Sequence, residues 1–239
     1  MVESAPMIWS LAALVMFAGA FVQCTIGFGL AVVAAPILYL LDPAYVPGPI
    51  IATALMISLL NSLRFRSQLA LGRLGWAVLG RVPGCVLGIW ILTLISPDLL
   101  SLLLGGAVLL AVVASLVKSS LQASPRNLFW AGLASGFMGT SSSIGGPPMA
   151  LVLQNEEASS IRANLSGFFV ISCLMSLGLL GWAGLFGARE WHLTLGLLAP
   201  AALGFVLSTR IATLEQHLFR PVLLLLCTLS ALFVIFSAI

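Results

Sequence analysis

The sequence predicts an all-α polytopic membrane protein made of two inverted-topology repeats, each a broken-helix hairpin followed by three transmembrane helices. Three observations predict it. Of 239 residues, 61% are hydrophobic and only 7% are charged, where a soluble domain carries roughly a quarter charged. Six apolar stretches approach the ~20 residues that a membrane crossing takes. Two further apolar stretches, each interrupted in its middle, recur about half a chain apart, the mark of an internal duplication.

Such a composition excludes a cytosolic enzyme and a disordered chain. The net charge of +3 is dispersed, with no run of like charges to grip a phosphate backbone, so the expected partners are a lipid bilayer and a small molecule, not a nucleic acid. Homo-oligomerisation is left open by the sequence. Cys24, Cys85, Cys173 and Cys227 stand singly in apolar segments, which argues against a disulfide or metal centre. His192 and His217 fall in loops without further ligands nearby, so no metal or other cofactor is expected. Glu3 and the absence of a basic leader predict that the first apolar segment is retained rather than cleaved as a signal peptide.

The first repeat is expected over residues 1–122, with a hairpin at 7–41 and spans at 47–63, 74–95 and 99–117. The second, over 123–239, has a hairpin at 128–155 and spans at 163–186, 193–209 and 219–238. The hairpins are interrupted at Gln23-Cys24-Thr25-Ile26-Gly27-Phe28-Gly29 and at Gly139-Thr140-Ser141-Ser142-Ser143-Ile144-Gly145-Gly146-Pro147-Pro148. Phe21 pairs with Phe137, Ile26-Gly27 with Ile144-Gly145, Pro83 with Pro200 and Gly88 with Gly204, at offsets of 116 to 118. At about 1.5 Å per residue the second broken segment is about 42 Å long, too long for one crossing and too short for two.

Basic residues favour cytoplasmic loops, and their placement orients the segments. If each broken segment returns to its own side, Arg64, Arg66, Arg73, Lys118, Arg126, Arg162, Arg210 and Arg220 share one face and Arg189 stands alone on the other. If each crosses once, the split falls to six against three. The hairpin arrangement gives each half an odd number of crossings, which inverts the second half and leaves both termini outside. Trp9, Trp76, Trp130 and Trp191 fall near segment ends, as interfacial anchors do, while Trp90 and Trp182 are read as deeper.

Backbone that leaves a helix within a bilayer has to face protein or water, so each break is a site candidate on physical grounds. New helices are expected at about Leu30 and at Pro147-Pro148, with their positive ends directed at the protein centre, where they favour an anion. Gly27, Gly29, Gly145 and Gly146 permit close approach of backbone to a ligand; Gln23, Thr25, Thr140, Ser141, Ser142 and Ser143 supply polar side chains. Thr53, Ser58, Asn61 and Ser62 on one segment, and Asn164, Ser166, Ser172 and Ser176 on another, either line the cavity or join helices. Arg81, about two turns inside its span, either pairs with an anion or snorkels to the surface. Every acidic residue falls at a segment end or in a loop, leaving no intramembrane proton relay.

The run Phe21-Val22-Gln23-Cys24-Thr25-Ile26-Gly27-Phe28-Gly29 followed by Pro36, and Gly136-Phe137-Met138-Gly139-Thr140 through Gly145-Gly146-Pro147-Pro148, resemble the paired signatures of the TauE/SafE sulfite exporter family of membrane permeases. The likeness extends through Pro83-Gly84 to Gly88. One departure is Gly27-Phe28-Gly29, where many relatives carry a fuller glycine run. The resemblance implies a multi-pass protein of the bacterial inner membrane that moves sulfite, sulfonates such as sulfoacetate, or related small anions. It is not expected to be an enzyme. The resulting expectation is an anion exporter working by alternating access, its substrate held between the hairpin tips by Gln23, Thr25, Gly27, Gly29, Asn61, Arg81, Thr140, Ser141, Ser142, Ser143, Gly145, Gly146 and Pro147. The rival readings are a membrane-embedded accessory or assembly protein and, behind it, an intramembrane enzyme.

Overall fold

Ten α-helices organise the computed structural model, which describes residues 4–117, 121–210 and 216–236. They are α1 (Ser4–Ile26), α2 (Leu30–Leu41), α3 (Gly48–Arg64), α4 (Leu71–Leu94), α5 (Pro97–Leu116), α6 (Pro125–Ser142), α7 (Gly146–Leu153), α8 (Ala158–Trp182), α9 (Ala188–Arg210) and α10 (Gln216–Phe236). Ser96 and Ser124 cap α5 and α6 by accepting from the N–H groups of Leu99 and Asn127, each at 3.3 Å. Pro97 and Pro125 follow them in the first turn, where a missing N–H costs nothing.

Among the described residues, six helices are long and apolar enough to cross a membrane. One of these is Met7–Ile26 within α1, so the first broken segment is a full-length arm with a short return arm of 12 residues, not two equal halves. The second has arms of 18 and 8 residues. Hydropathy alone places the starts of α8 and α9 too late, because both helices begin in polar sequence: Ser159, Ser160 and Arg162 in α8, Arg189 and Glu190 in α9. Likewise Trp182 is not deep; it is the last residue of α8 and 85% exposed. Lys118, Glu3 and Glu215 lie outside the described residues, as do the side chains of Arg73, His217 and Arg220.

Within the bilayer the hydrophobic effect does not drive helices together, so close backbone packing has to. α4 and α6 run side by side through Gly80, Gly84 and Gly88 on one and Gly132 and Gly136 on the other. A methyl group at Gly80 would lie 2.0 Å from the Phe129 carbonyl oxygen, and one at Gly132 2.0 Å from that of Ala77. α1 and α9 pack alike, with Gly204 against the Phe17 carbonyl. Exchanging the two halves reproduces the packing: α1 on α9 as α6 on α4, α3 on α9 as α8 on α4, and α2 on α10 as α7 on α5, with α3–α8 and α5–α10 joining the halves.

Side-chain contacts sort the helix ends into two faces. Arg189 pairs with Asp42 at 2.7 Å and Tyr39 donates to the Pro97 carbonyl, bringing together the end of α2 and the starts of α9 and α5. At the other face Asn164 accepts from the Ala70 N–H and Arg162 donates to the Thr25 carbonyl. The start of α8 thus meets the start of α4 and the end of α1.

Candidate functional site

The two breaks meet inside the bundle. The first is a Gly27-Phe28-Gly29 turn with φ of 104° and 120° at its glycines, angles that a side chain rarely tolerates. The second turns at Ser143, whose φ of 67° makes it the only described non-glycine residue in the left-handed region. Its hydroxyl donates to the Pro47 carbonyl at 3.0 Å, which secures the strained turn to the start of α3. Phe28 from the first tip lies against Gly146 of the second, where a methyl group would approach the Phe28 Cβ to 2.9 Å.

Beside this junction is a cavity of about 40 Å³, room for roughly two or three water molecules. Its wall includes Gln23 and Gly29 from the first break, Ser143, Gly145 and Gly146 from the second, Arg81 from α4, and Phe169, Ser172 and Cys173 from α8.

Arg81 does not snorkel. It is 3% exposed, and its guanidinium donates from Nη1 to Ser135 Oγ at 2.8 Å and from Nη2 to Ser176 Oγ at 3.2 Å. The Phe168 ring centroid lies 5.5 Å from its Cζ. No described carboxylate pairs with it, and both its Nε and the neighbouring Ser172 Oγ are buried without a partner. Ser135 then donates to the Gly145 carbonyl at 2.5 Å, coupling the arginine to the second break. The positive end of α2 contributes as well, since Gly29, Ala31 and Val32 line the same space. α7 contributes less, because Pro147 and Pro148 remove two N–H groups from its first turn.

The other expected ligands lie elsewhere. Thr25 bonds its hydroxyl to the carbonyls of Phe21 and Val22; Ser141 and Ser142 do the same to Phe137 and Met138, each at 2.7 Å. Thr140 shares a 2.8 Å hydrogen bond with Ser176 and supports Arg81 from behind. Gly27 packs on Arg162 and Leu165, Pro147 is buried in the first turn of α7, and Asn61 is buried near Cys24 and Ser208, away from the cavity wall. Gln23, by contrast, stays on the cavity wall and donates to Ser58 at 3.2 Å. Sequence reading missed Ser135, because a lone serine in a glycine-rich helix reads as packing; it also missed Phe28, Phe169 and Cys173 as wall residues.

A family model described as sulfite exporter TauE/SafE matches residues 11–234, nearly the whole chain. No curated protein and no solved structure matches the chain.

Proposed function

The chain belongs to the sulfite exporter TauE/SafE family, and from that premise we propose that it carries a sulfur oxyanion or small sulfonate, such as sulfite or sulfoacetate, outward across the membrane with Arg81 as the counter-charge. Six apolar helices and the family together fit a multi-pass inner-membrane permease. The observation that carries the substrate reading is a buried guanidinium, without a carboxylate partner among the described residues, on the wall of a cavity between two helix breaks. An unpaired charge in such a place costs several kcal/mol, and an intramembrane ionisable group usually marks a substrate path.

A small anion in the cavity satisfies Arg81 Nε, Ser172 Oγ and the free N–H groups of α2 together. The dimensions favour an ion of few atoms over a long sulfonate. Export follows from the driving force: an inside-negative potential pushes each negative charge outward with about 2.3 kcal/mol per 100 mV, so the scheme requires no coupled ion. For the cycle, the packing that recurs when the halves are exchanged supports two inverted repeats, the first ending near residue 122, that rock about a central site.

Reconstitution into proteoliposomes with sulfite or sulfoacetate on one side tests the proposal. Flux that accelerates with a potential driving anions toward the Asp42 face is the expected result. Failure of every sulfur anion to move would remove the substrate class, and flux indifferent to potential would remove the driving force.

A further inference from the structure

A second group of cations stands across the first hairpin tip from Arg81. Arg64 and Arg162 place their guanidinium carbons 5.0 and 5.4 Å from the centroid of the same Phe65 ring, so the two like charges are at most about 10 Å apart. Arg162 donates from Nη1 to the Thr25 carbonyl at 3.1 Å, which a cation at the negative end of α1 would do in any case. Two facts exceed that capping role. Its Nε is buried without a partner, and no described carboxylate pairs with either arginine. Arg64 is exposed and lies over the Phe65 ring.

The position of the pair gives it a use. Gly27 packs directly on Arg162, with a methyl there 3.4 Å from the Arg162 Cα, while Phe28 and Gly29, its next neighbours in the chain, line the central cavity. The three-residue tip is therefore the partition between the arginine pair and the cavity. Like charges held together at a mouth concentrate anions there and raise their rate of capture.

We propose that Arg64 and Arg162 form a vestibular binding station for the transported oxyanion, occupied before the ion passes the Gly27–Gly29 tip to reach Arg81. The inference rests on the reading of the cavity as an anion site. It also implies that an anion engaging Arg162 competes with the Thr25 carbonyl and so loosens the tip it has to pass.

The experiment is sulfite flux through the full-length protein in vesicles of known orientation, with the concentration dependence measured from each face. Arg64→Gln disturbs no hydrogen bond among the described residues, so it separates binding from folding. It is expected to raise KM roughly threefold to fivefold from the Arg64 face, with Vmax and the opposite-face KM retained and the dependence on ionic strength flattened. Arg64→Lys is expected to restore most of the affinity. An unchanged KM for Arg64→Gln, or an equal rise from both faces, overturns the vestibule. The central site is judged separately by Arg81→Gln: wild-type flux in that variant removes the cavity reading, whereas a face-specific effect of Arg64→Gln still establishes the vestibule.

Discussion

Replacing Arg81 by glutamine separates a substrate-binding role from a structural one, because the first predicts a large loss of affinity at nearly unchanged stability and the second the reverse. A unit charge about 4 Å from an anion is worth about 4 kcal/mol at an effective dielectric constant near 20. Glutamine keeps a dipole and a shorter reach, so the expected net loss is about 2–3 kcal/mol, or roughly 30- to 150-fold in KM for sulfite. The same change removes a buried cation that has no carboxylate partner among the described residues. It also forfeits hydrogen bonds to Ser135, Ser176 and, at a longer 3.5 Å, the Ser172 carbonyl, worth about 1.5–3 kcal/mol each from a charged donor at good geometry, against a burial penalty of several kcal/mol. The two sides nearly offset, so the ligand-free variant should melt within a few degrees of the wild-type temperature, while proteoliposome flux collapses. Arg81→Met should show the same separation. A variant that melts lower yet transports with wild-type KM would falsify the assignment and make Arg81 a packing residue.

Ser135→Ala should raise KM severalfold and lower the melting temperature, since it leaves both an Arg81 donor and the Gly145 carbonyl without their partner; equal transport by the variant would remove Ser135 from the site. Ser141→Ala and Ser142→Ala should each transport within about twofold of wild type, because their hydroxyls only return to their own helix, and a tenfold loss in either would restore them as ligands. Gly29→Ala should reduce both folded yield and Vmax: its φ of 120° is strained for any side chain, its methyl would lie 2.9 Å from Val22 Cγ1, and such strain costs about 1–3 kcal/mol. A stable, fully active Gly29→Ala protein would show that the tip is free to reshape.

Helix number and break positions were legible because both depend on coarse, local quantities. Apolar length marks a span, and Gly27-Phe28-Gly29 and Ser143-Ile144-Gly145 are residues that no continuous helix favours. Which hydroxyl faces the cavity was not legible. Thr140, Ser141, Ser142 and Ser143 are consecutive, and a helix turns about 100° per residue, so a shift of one position redirects every side chain. α6 continues through Ser142, one turn further than the glycine and serine content suggests, and this sends Ser141 and Ser142 back to their own backbone while Ser143 alone faces the opening. The orientation of Arg81 was equally undetermined, because a span gives no sign of which neighbour it presents to a given face; the close α4–α6 packing at Gly80 and Gly84 settles it.

The placement of charge on this frame is asymmetric, and the asymmetry has a physical reason. At the offset of 116 that pairs Gly88 with Gly204, Arg81 falls opposite Leu197 and Ser135 opposite Gly19. Gly19 sits against the carbonyl of Leu30 at the start of α2, where a methyl would approach the oxygen to 2.8 Å; Ser135 sits against the carbonyl of Gly145 at the start of α7 and donates to it. A comparable contact to the start of the return helix is thus made by close packing in one half and by a hydroxyl in the other, and only the hydroxyl accepts from an arginine. A second buried arginine at Leu197, which is fully buried, would add another several kcal/mol of desolvation and, on the proposed function, hold the anion more firmly. On the proposed transport cycle, the recurring helix packing would serve movement, whereas a single cation on one side would keep binding weak enough for turnover.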